Sequence, residues 1–117
     1  MGQSYDYYIA KGFDSKAAAY FSNGRRKPVK VVPQEQYRIL IIFDNSEKRI
    51  LDISKLIQKG TVYYPLHDKN IFQNCYIDSD YSLCWDKNPD VDSNIVWNNK
   101  IDIGSDTCYL DSEEVKL

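Results

Sequence analysis

The feature that most constrains the fold of this chain is the segment at residues 37–43, which is rich in isoleucine and aromatic side chains. Such residues favour β-strands, and here apolar residues occupy both alternating faces near the end of the segment. Because a strand that is apolar on both faces is covered on both sides, the pattern predicts a central strand. Turn-forming residues 44–47 follow, and residues 48–53 are predicted to return as an antiparallel partner.

Short helix and strand signals alternate along the rest of the chain. Asp14 is a favourable N-cap, the alanine-rich residues after it favour a helix, and Asn23 with Gly24 forms a typical helix stop. Further extended segments are predicted at residues 29–32, 61–64, 74–77, 81–85, 95–97 and 101–103. Short helical turns are predicted at residues 55–59, 68–72 and 105–109.

No predicted helix is long enough to connect two parallel strands, which need crossovers of about a dozen residues or more. The sequence therefore predicts an α+β fold: a small, mainly antiparallel sheet of two or three hairpins with short helices. The length of 117 residues fits one compact domain. Within it, residues 1–28 are expected to form an N-terminal helix and basic connector, and residues 29–117 the α+β domain.

The apolar runs are too short for a membrane span, the longest being residues 39–43. The first residues lack the basic and apolar regions of a secretory signal, which predicts a cytoplasmic protein with no membrane partner. Cys75, Cys84 and Cys108 are odd in number and widely spaced. In a reducing compartment we expect them to be buried thiols rather than disulfide partners or zinc ligands.

Charge is distributed unevenly along the chain. Residues 1–59 carry eleven Lys and Arg against six Asp and Glu, whereas residues 60–117 carry four against eleven. The net charges of +5 and −7 add up to the overall −2. Non-specific nucleic-acid binding by the whole domain is not expected, because such binding depends on an excess of clustered positive charge.

The one concentrated positive segment, here called the basic connector, contains Arg25, Arg26, Lys27 and Lys30. These residues are the candidate binding site, since Arg and Lys contact phosphate groups or acidic protein surfaces. The alternative interpretation is a solvated loop, or an intramolecular partner for the acidic second half of the chain.

No metal, cofactor or catalytic site is predicted. Asp86, Asn88, Asp90 and Asp92 alternate as calcium ligands do, but residues 91 and 97 are not the Gly and Glu that an EF-hand loop requires. We interpret this segment as a solvated turn. His67 beside a cysteine would form a thiol nucleophile system only if the two side chains were close and the thiol had a low pKa. Core packing is the alternative interpretation of the cysteines.

Residues 37–53 resemble the opening hairpin of the bacterial domain-of-unknown-function family 2442. In that family an aliphatic strand is followed by Phe-Asp-Asn-Gly-Glu and by a strand ending in aromatic-Asp-aliphatic; Ser46 stands where the glycine is usual. The residues that resemble the two later family blocks are Gly60, Pro65, Leu66, Asp68 and Phe72, then Trp97, Asp102 and Tyr109. The resemblance covers residues 30–110 and implies an α+β fold in a small bacterial cytosolic protein.

The resemblance also implies a gene layout like that of a toxin–antitoxin pair, because many family members are encoded beside another small protein. No catalytic residues are established for the family. We therefore expect a non-catalytic protein-binding module, acting as a toxin–antitoxin-like or regulatory partner and able to form a homodimer. The alternative is an accessory regulator that contacts nucleic acid through residues 25–30, and an enzyme of unknown type is the third hypothesis.

Overall fold

The computed structural model describes residues 3–115. The helices are α1 (Tyr5–Ala10), α2 (Ser15–Ser22), α3 (Lys69–Phe72) and α4 (Ser105–Leu110). The strands are β1 (Pro28–Gln34), β2 (Arg38–Phe43), β3 (Lys48–Asp52), β4 (Tyr76–Ile77), β5 (Leu83–Asp86), β6 (Lys100–Ile103) and β7 (Glu113–Glu114). The outer ends of the two regions predicted from the sequence, residues 1–2 and 116–117, lie outside the described residues.

All strand pairs within the described residues are antiparallel, which confirms the predicted α+β fold. The seven strands of the described residues exceed the four to six that the predicted two or three hairpins contain, and they divide between two sheets. One sheet has the order β1-β2-β3-β7 and the other the order β4-β5-β6. The division follows from the chain between β3 and β4, which forms short helical turns and leaves the first sheet before the second begins.

The prediction of a central strand at residues 37–43 is confirmed. β2 lies between β1 and β3, with Ile41 opposite Val31 on one side and Arg49 on the other. Ile39, Ile41 and Phe43 alternate along β2 and are buried. They pack with buried residues of the second sheet in one core. Burial of this alternating set drives the hairpin onto the rest of the domain.

The second sheet completes the core through Trp85. This side chain of β5 is fully buried, and its indole N–H donates a hydrogen bond to the Phe72 carbonyl at 3.0 Å. Asp68 caps α3, which forms where a helical turn was predicted, and accepts a hydrogen bond from the Asn70 N–H at 2.9 Å. Thus α3, between the two sheets in sequence, is held by its cap at one end and by the Trp85 indole at the other.

Three segments differ from the sequence predictions. Residues 95–97, predicted as a strand, lie in turns, and a single 3-10 turn then spans Trp97–Asn99. Residues 61–64 do not form the predicted extended segment, because a 3-10 helix begins at Tyr64 and includes Pro65 near its start. The helix predicted at residues 55–59 is only the 3-10 turn Ser54–Leu56. In each case a local propensity was too weak to decide between turn and regular structure.

The N-terminal region contains a helical hairpin. Asp14 caps α2 as predicted, accepting a hydrogen bond from the Ala17 N–H at 2.7 Å. The sequence left residues 5–9 unassigned, and they form α1. Its Tyr8 packs against Phe13 and Phe21, with ring centroids 5.4 and 5.5 Å away. This aromatic contact holds α1 against α2, since an isolated helix of this length is unstable in water.

Candidate functional site

The residues of the basic connector contact different neighbours in the structure. The Arg25 guanidinium pairs with the Asp106 carboxylate, with an Nε to Oδ1 distance of 3.0 Å and a second bond through Nη2. Arg25 follows α2 and Asp106 lies in the first turn of α4. One positive residue of the connector is therefore joined to the acidic second half of the chain, although surface ion pairs of this kind contribute only modestly to stability.

The other connector residues face different neighbours. The Arg26 guanidinium lies 3.6 Å from the Asp44 carboxylate, an ion pair without a hydrogen bond. The Lys27 ammonium lies 4.8 Å from the centroid of the Tyr81 ring, a cation–π contact. Lys30 is exposed on β1. The connector is thus not one uniform patch: its arginines are paired within the chain, and its lysines are turned to an aromatic ring and to solvent.

Tyr20 connects α2 to this network. Its hydroxyl donates to Asp106 Oδ1 at 2.6 Å and accepts a hydrogen bond from the Arg26 N–H at 3.0 Å. Burial and the hydrogen bond to Asp106 raise the pKa of Tyr20 well above its usual range. The phenol is therefore a permanent donor at physiological pH, and it acts as a structural link rather than an acid or base.

The aspartate-rich segment forms its own hydrogen bonds. Asp86 Oδ1 accepts from the Tyr76 hydroxyl at 2.7 Å and from the Ser93 hydroxyl at 2.6 Å. Asn88 and Asp92 each accept from the backbone N–H two residues ahead, as Asx turns do. Across residues 3–115 the structure contains no group of three or more His, Cys, Asp or Glu side chains placed to hold a metal ion. These carboxylates organise the loop that carries them.

The cysteine thiols and the His67 imidazole are held by burial, ring stacking and backbone contacts. Cys84 and Cys108 are buried, and burial raises the pKa of each thiol to about 12. Burial likewise raises the pKa of Cys75 to about 11. His67 stacks on Tyr64 and its Nδ1 lies 2.6 Å from the Tyr64 carbonyl. Neutral thiols are weak nucleophiles, so these cysteines lack the low pKa that thiol catalysis requires.

A surface that sequence reasoning missed lies around Trp97, here called the Trp97 surface. The Trp97 side chain is 82% exposed, Ile95 is 79% exposed and Val62 is 66% exposed. Trp97 and Val62 line the same cavity of about 330 Å³, together with the buried Ile101. Large apolar side chains rarely stay this accessible in contiguous groups unless they contact another molecule.

Local structure explains why Trp97 faces outward. The neighbouring Asn99 is buried, and its side chain accepts from the Asn88 N–H at 2.9 Å and donates to the Val91 carbonyl at 3.1 Å. Because Asn99 turns inward within the 3-10 turn, Trp97 is left on the solvent side. The sequence signal for this surface is the apolar triplet at residues 95–97 between polar turns, which the strand prediction had assigned to the sheet.

The fold and these surfaces define a small antiparallel α+β domain with an exposed aromatic group. No helix within residues 3–115 has the length and apolar character needed to cross a membrane. Residues 28–109 match the family described as "Protein of unknown function (DUF2442)", and the chain belongs to this family. No curated protein and no solved structure matches the chain. The matched region contains the Trp97 surface and Lys30 but begins after Arg25, Arg26 and Lys27.

Proposed function

We propose that this protein is a non-catalytic binding module that contacts another protein through the Trp97 surface. The observation that carries the proposal is the accessibility of Trp97, at 82%, beside the exposed Ile95 and Val62. Tryptophan is enriched among the residues that dominate the binding energy of protein interfaces. A partner that covers the exposed indole removes its unfavourable contact with water. Burial of this surface therefore makes the free energy of association more favourable.

The family supports the setting of the proposed function. The resemblance to this family implies a small bacterial cytosolic protein encoded beside another small protein, and we propose that the product of such a neighbouring gene is the partner. The role would then be that of a toxin–antitoxin-like or regulatory partner. In this proposal residues 29–117 form the binding domain, and the helical hairpin and connector at residues 1–28 are an appendage docked onto it.

The alternative is contact with nucleic acid through the basic connector. Protein contact is supported better, because Arg25 and Arg26 already pair with Asp106 and Asp44. Phosphate binding would have to compete with these carboxylates for the guanidinium groups. The alternative predicts binding to a DNA duplex that weakens steeply between about 50 and 200 mM salt and is lost in a Lys27→Glu/Lys30→Glu variant.

Co-purification tests the proposed function. The chain is co-expressed with the product of each gene adjacent to its own, and the amount of retained partner is measured for the wild type and for Trp97→Glu. We expect Trp97→Glu to abolish retention while leaving the melting temperature unchanged, because the side chain is exposed. Val29→Glu is the matched control, since Val29 is also exposed but lies on β1. Equal retention by Trp97→Glu and wild type would contradict the proposal.

A further inference from the structure

The strand beside the Trp97 surface has an open edge. β6 pairs with β5 on one side and forms the end of the second sheet. The Lys87 N–H donates to the Asn99 carbonyl at 2.8 Å, so Lys87 and Asn99 are a hydrogen-bonded pair of residues. Hydrogen-bonded pairs therefore recur at every second residue from Asn99 along β6. Since hydrogen-bonding residues alternate in antiparallel pairs, the backbone groups of Ile101 and Ile103 face β5. Those of Lys100 and Asp102 point away from it.

Three of these outward backbone groups are available for pairing. The Lys100 N–H donates to the Trp97 carbonyl within the 3-10 turn. The Lys100 carbonyl and both backbone groups of Asp102 have no strand neighbour among the described residues. Open edges of this kind are templates for pairing with another strand.

We propose that β6 pairs with β6 of a second copy of this chain, forming an antiparallel homodimer with its two-fold axis at Ile101. The inference rests on the proposed function, because it names a second copy as the occupant of the surface around Trp97 when the neighbouring-gene product does not cover it. In this register Lys100 of one copy faces Asp102 of the other, and the reverse pair follows by symmetry. Each Asp102 N–H then donates to the Lys100 carbonyl of the other copy.

Charge complementarity favours a second copy as the occupant. The Asp102 side chain is exposed, and no cationic group of residues 3–115 forms an ion pair with it. The Lys100 ammonium lies 2.8 Å from Asp78 and its side chain is 30% exposed, so in the dimer Asp78 and Asp102 of the other copy would share this ammonium. Opposite charges directly across two strands stabilise the pair, and like charges destabilise it. An alternating Lys-Ile-Asp strand therefore complements itself when it meets its own copy in the antiparallel direction.

The same register gives Trp97 a place to pack. If the pairing continues beyond β6, Asn99 lies opposite Ile103 of the other copy. The turn Trp97–Asn99 then lies beside Gly104 of that other copy. Space around Gly104 is open, with no heavy atom within 4 Å of a Cβ placed there. An aromatic ring covering a glycine at a sheet edge shields backbone that is otherwise exposed to water. The exposed indole thus covers Gly104, which has no side chain of its own to shield the backbone.

Light scattering after size-exclusion chromatography tests the inference on the full chain. We expect the wild type to dimerise as its concentration is raised to about 1 mM, and Asp102→Lys to remain monomeric because it places two lysines opposite each other. Asp6→Lys, the same charge change in α1, is the matched control and is expected to dimerise like the wild type. Melting curves of all variants establish that they fold.

A mixing experiment tests the register itself. Lys100→Asp chains alone should be monomeric, whereas an equimolar mixture with Asp102→Lys chains should form a heterodimer, because each new charge then faces its opposite. A wild type that stays monomeric at about 1 mM, or an Asp102→Lys protein that dimerises like wild type, would overturn the inference. Loss of neighbouring-gene partner capture in Trp97→Glu would still support the proposed function in that case, so the two failures are distinguishable.

Discussion

The rings of Tyr20 and Tyr109 stack with their centroids 4.8 Å apart and their planes 25° from parallel. Each hydroxyl donates to a carboxylate that an arginine also holds. Tyr20 donates to Asp106 at 2.6 Å, and Tyr109 donates to Glu47 at 3.0 and 3.1 Å. Because Tyr20 lies before the region matched to the family, this stack docks the N-terminal helical hairpin onto the family domain.

The Glu47 carboxylate that accepts from Tyr109 also accepts a hydrogen bond from the buried Arg49. Arg49 Nη1 donates to Glu47 at 2.6 Å, its Nε donates to the Ser112 hydroxyl at 2.8 Å, and the guanidinium lies 4.2 Å from the Tyr109 ring centroid. Burial acts to raise the pKa of Glu47, but the hydrogen bonds from Arg49, Asn45 and Tyr109 hold it below its usual value. The buried arginine is therefore compensated, as a charge inside a small domain must be.

Tyr20→Phe tests the docking of the N-terminal hairpin. The change removes the hydrogen bond to Asp106 and leaves the Arg26 N–H without its acceptor, so the free energy of unfolding should fall by about 1–3 kcal/mol. Urea denaturation measures this loss. Tyr7→Phe is the control, since Tyr7 is exposed on α1. Equal stability of the two variants would show that the stack does not depend on the hydroxyl.

The connector arginines are predicted to contribute to stability. Arg25→Glu/Arg26→Glu replaces two ion pairs with repulsion against Asp106 and Asp44, and should lower the free energy of unfolding by up to about 1 kcal/mol after allowance for solvent screening. The same change at Lys27 and Lys30 should leave the melting temperature nearly constant. If the arginine variant instead melts like wild type but loses its protein partner, the connector is a binding site.

The turn between β2 and β3 should accept a stabilising glycine. Ser46 has a φ of 70°, a left-handed conformation that costs a side-chain-bearing residue free energy and costs glycine little. We expect Ser46→Gly to raise the free energy of unfolding by up to about 1 kcal/mol. Ser79→Gly, in the other hairpin turn, is the control, because Ser79 is not among the residues with positive φ. Thermal melting of both variants decides the question.

The cysteines should resist alkylation in the folded protein. Burial raises the pKa of Cys75 to about 11, so near pH 8 only about 0.1% of this thiol is ionised. Cys84 and Cys108, each with a pKa of about 12, should be ionised less still. We expect iodoacetamide to modify none of them rapidly at pH 8, and to modify all of them once urea unfolds the chain. Rapid modification of one folded thiol, followed by mass spectrometry, would reveal a nucleophile that this geometry does not support.

A charge at the centre of the core should unfold the domain. Ile41 is fully buried in β2, and Ile41→Asp would leave a carboxylate without a partner, at a cost of several kcal/mol. This cost is a large fraction of the free energy of unfolding, which is about 5–15 kcal/mol for a typical small domain. Val29→Asp, at an exposed position of β1, should fold normally. Circular dichroism melts compare the two, and a cooperatively melting Ile41→Asp protein would contradict the central-strand assignment.

Local patterns were sufficient where neighbouring residues decide the structure. The β2–β3 hairpin, the Asp14 cap of α2 and the Asp68 cap of α3 follow from strand-forming side chains, turn residues and capping groups a few positions apart. The antiparallel α+β class followed as well, because no segment was long enough for a parallel crossover. The family resemblance rested on the same short blocks.

Tertiary structure decided whatever depends on residues far apart in the chain. Pairing of Arg25 with Asp106 joins positions separated by 81 residues, and no local pattern indicates which of the many carboxylates an arginine will meet. The apolar triplet at residues 95–97 matches a strand, but the side-chain hydrogen bonds of the buried Asn99 hold it in turns and leave Trp97 in solvent. Local propensities amount to a fraction of a kcal/mol per residue, so long-range burial and hydrogen bonding outweigh them wherever the two disagree.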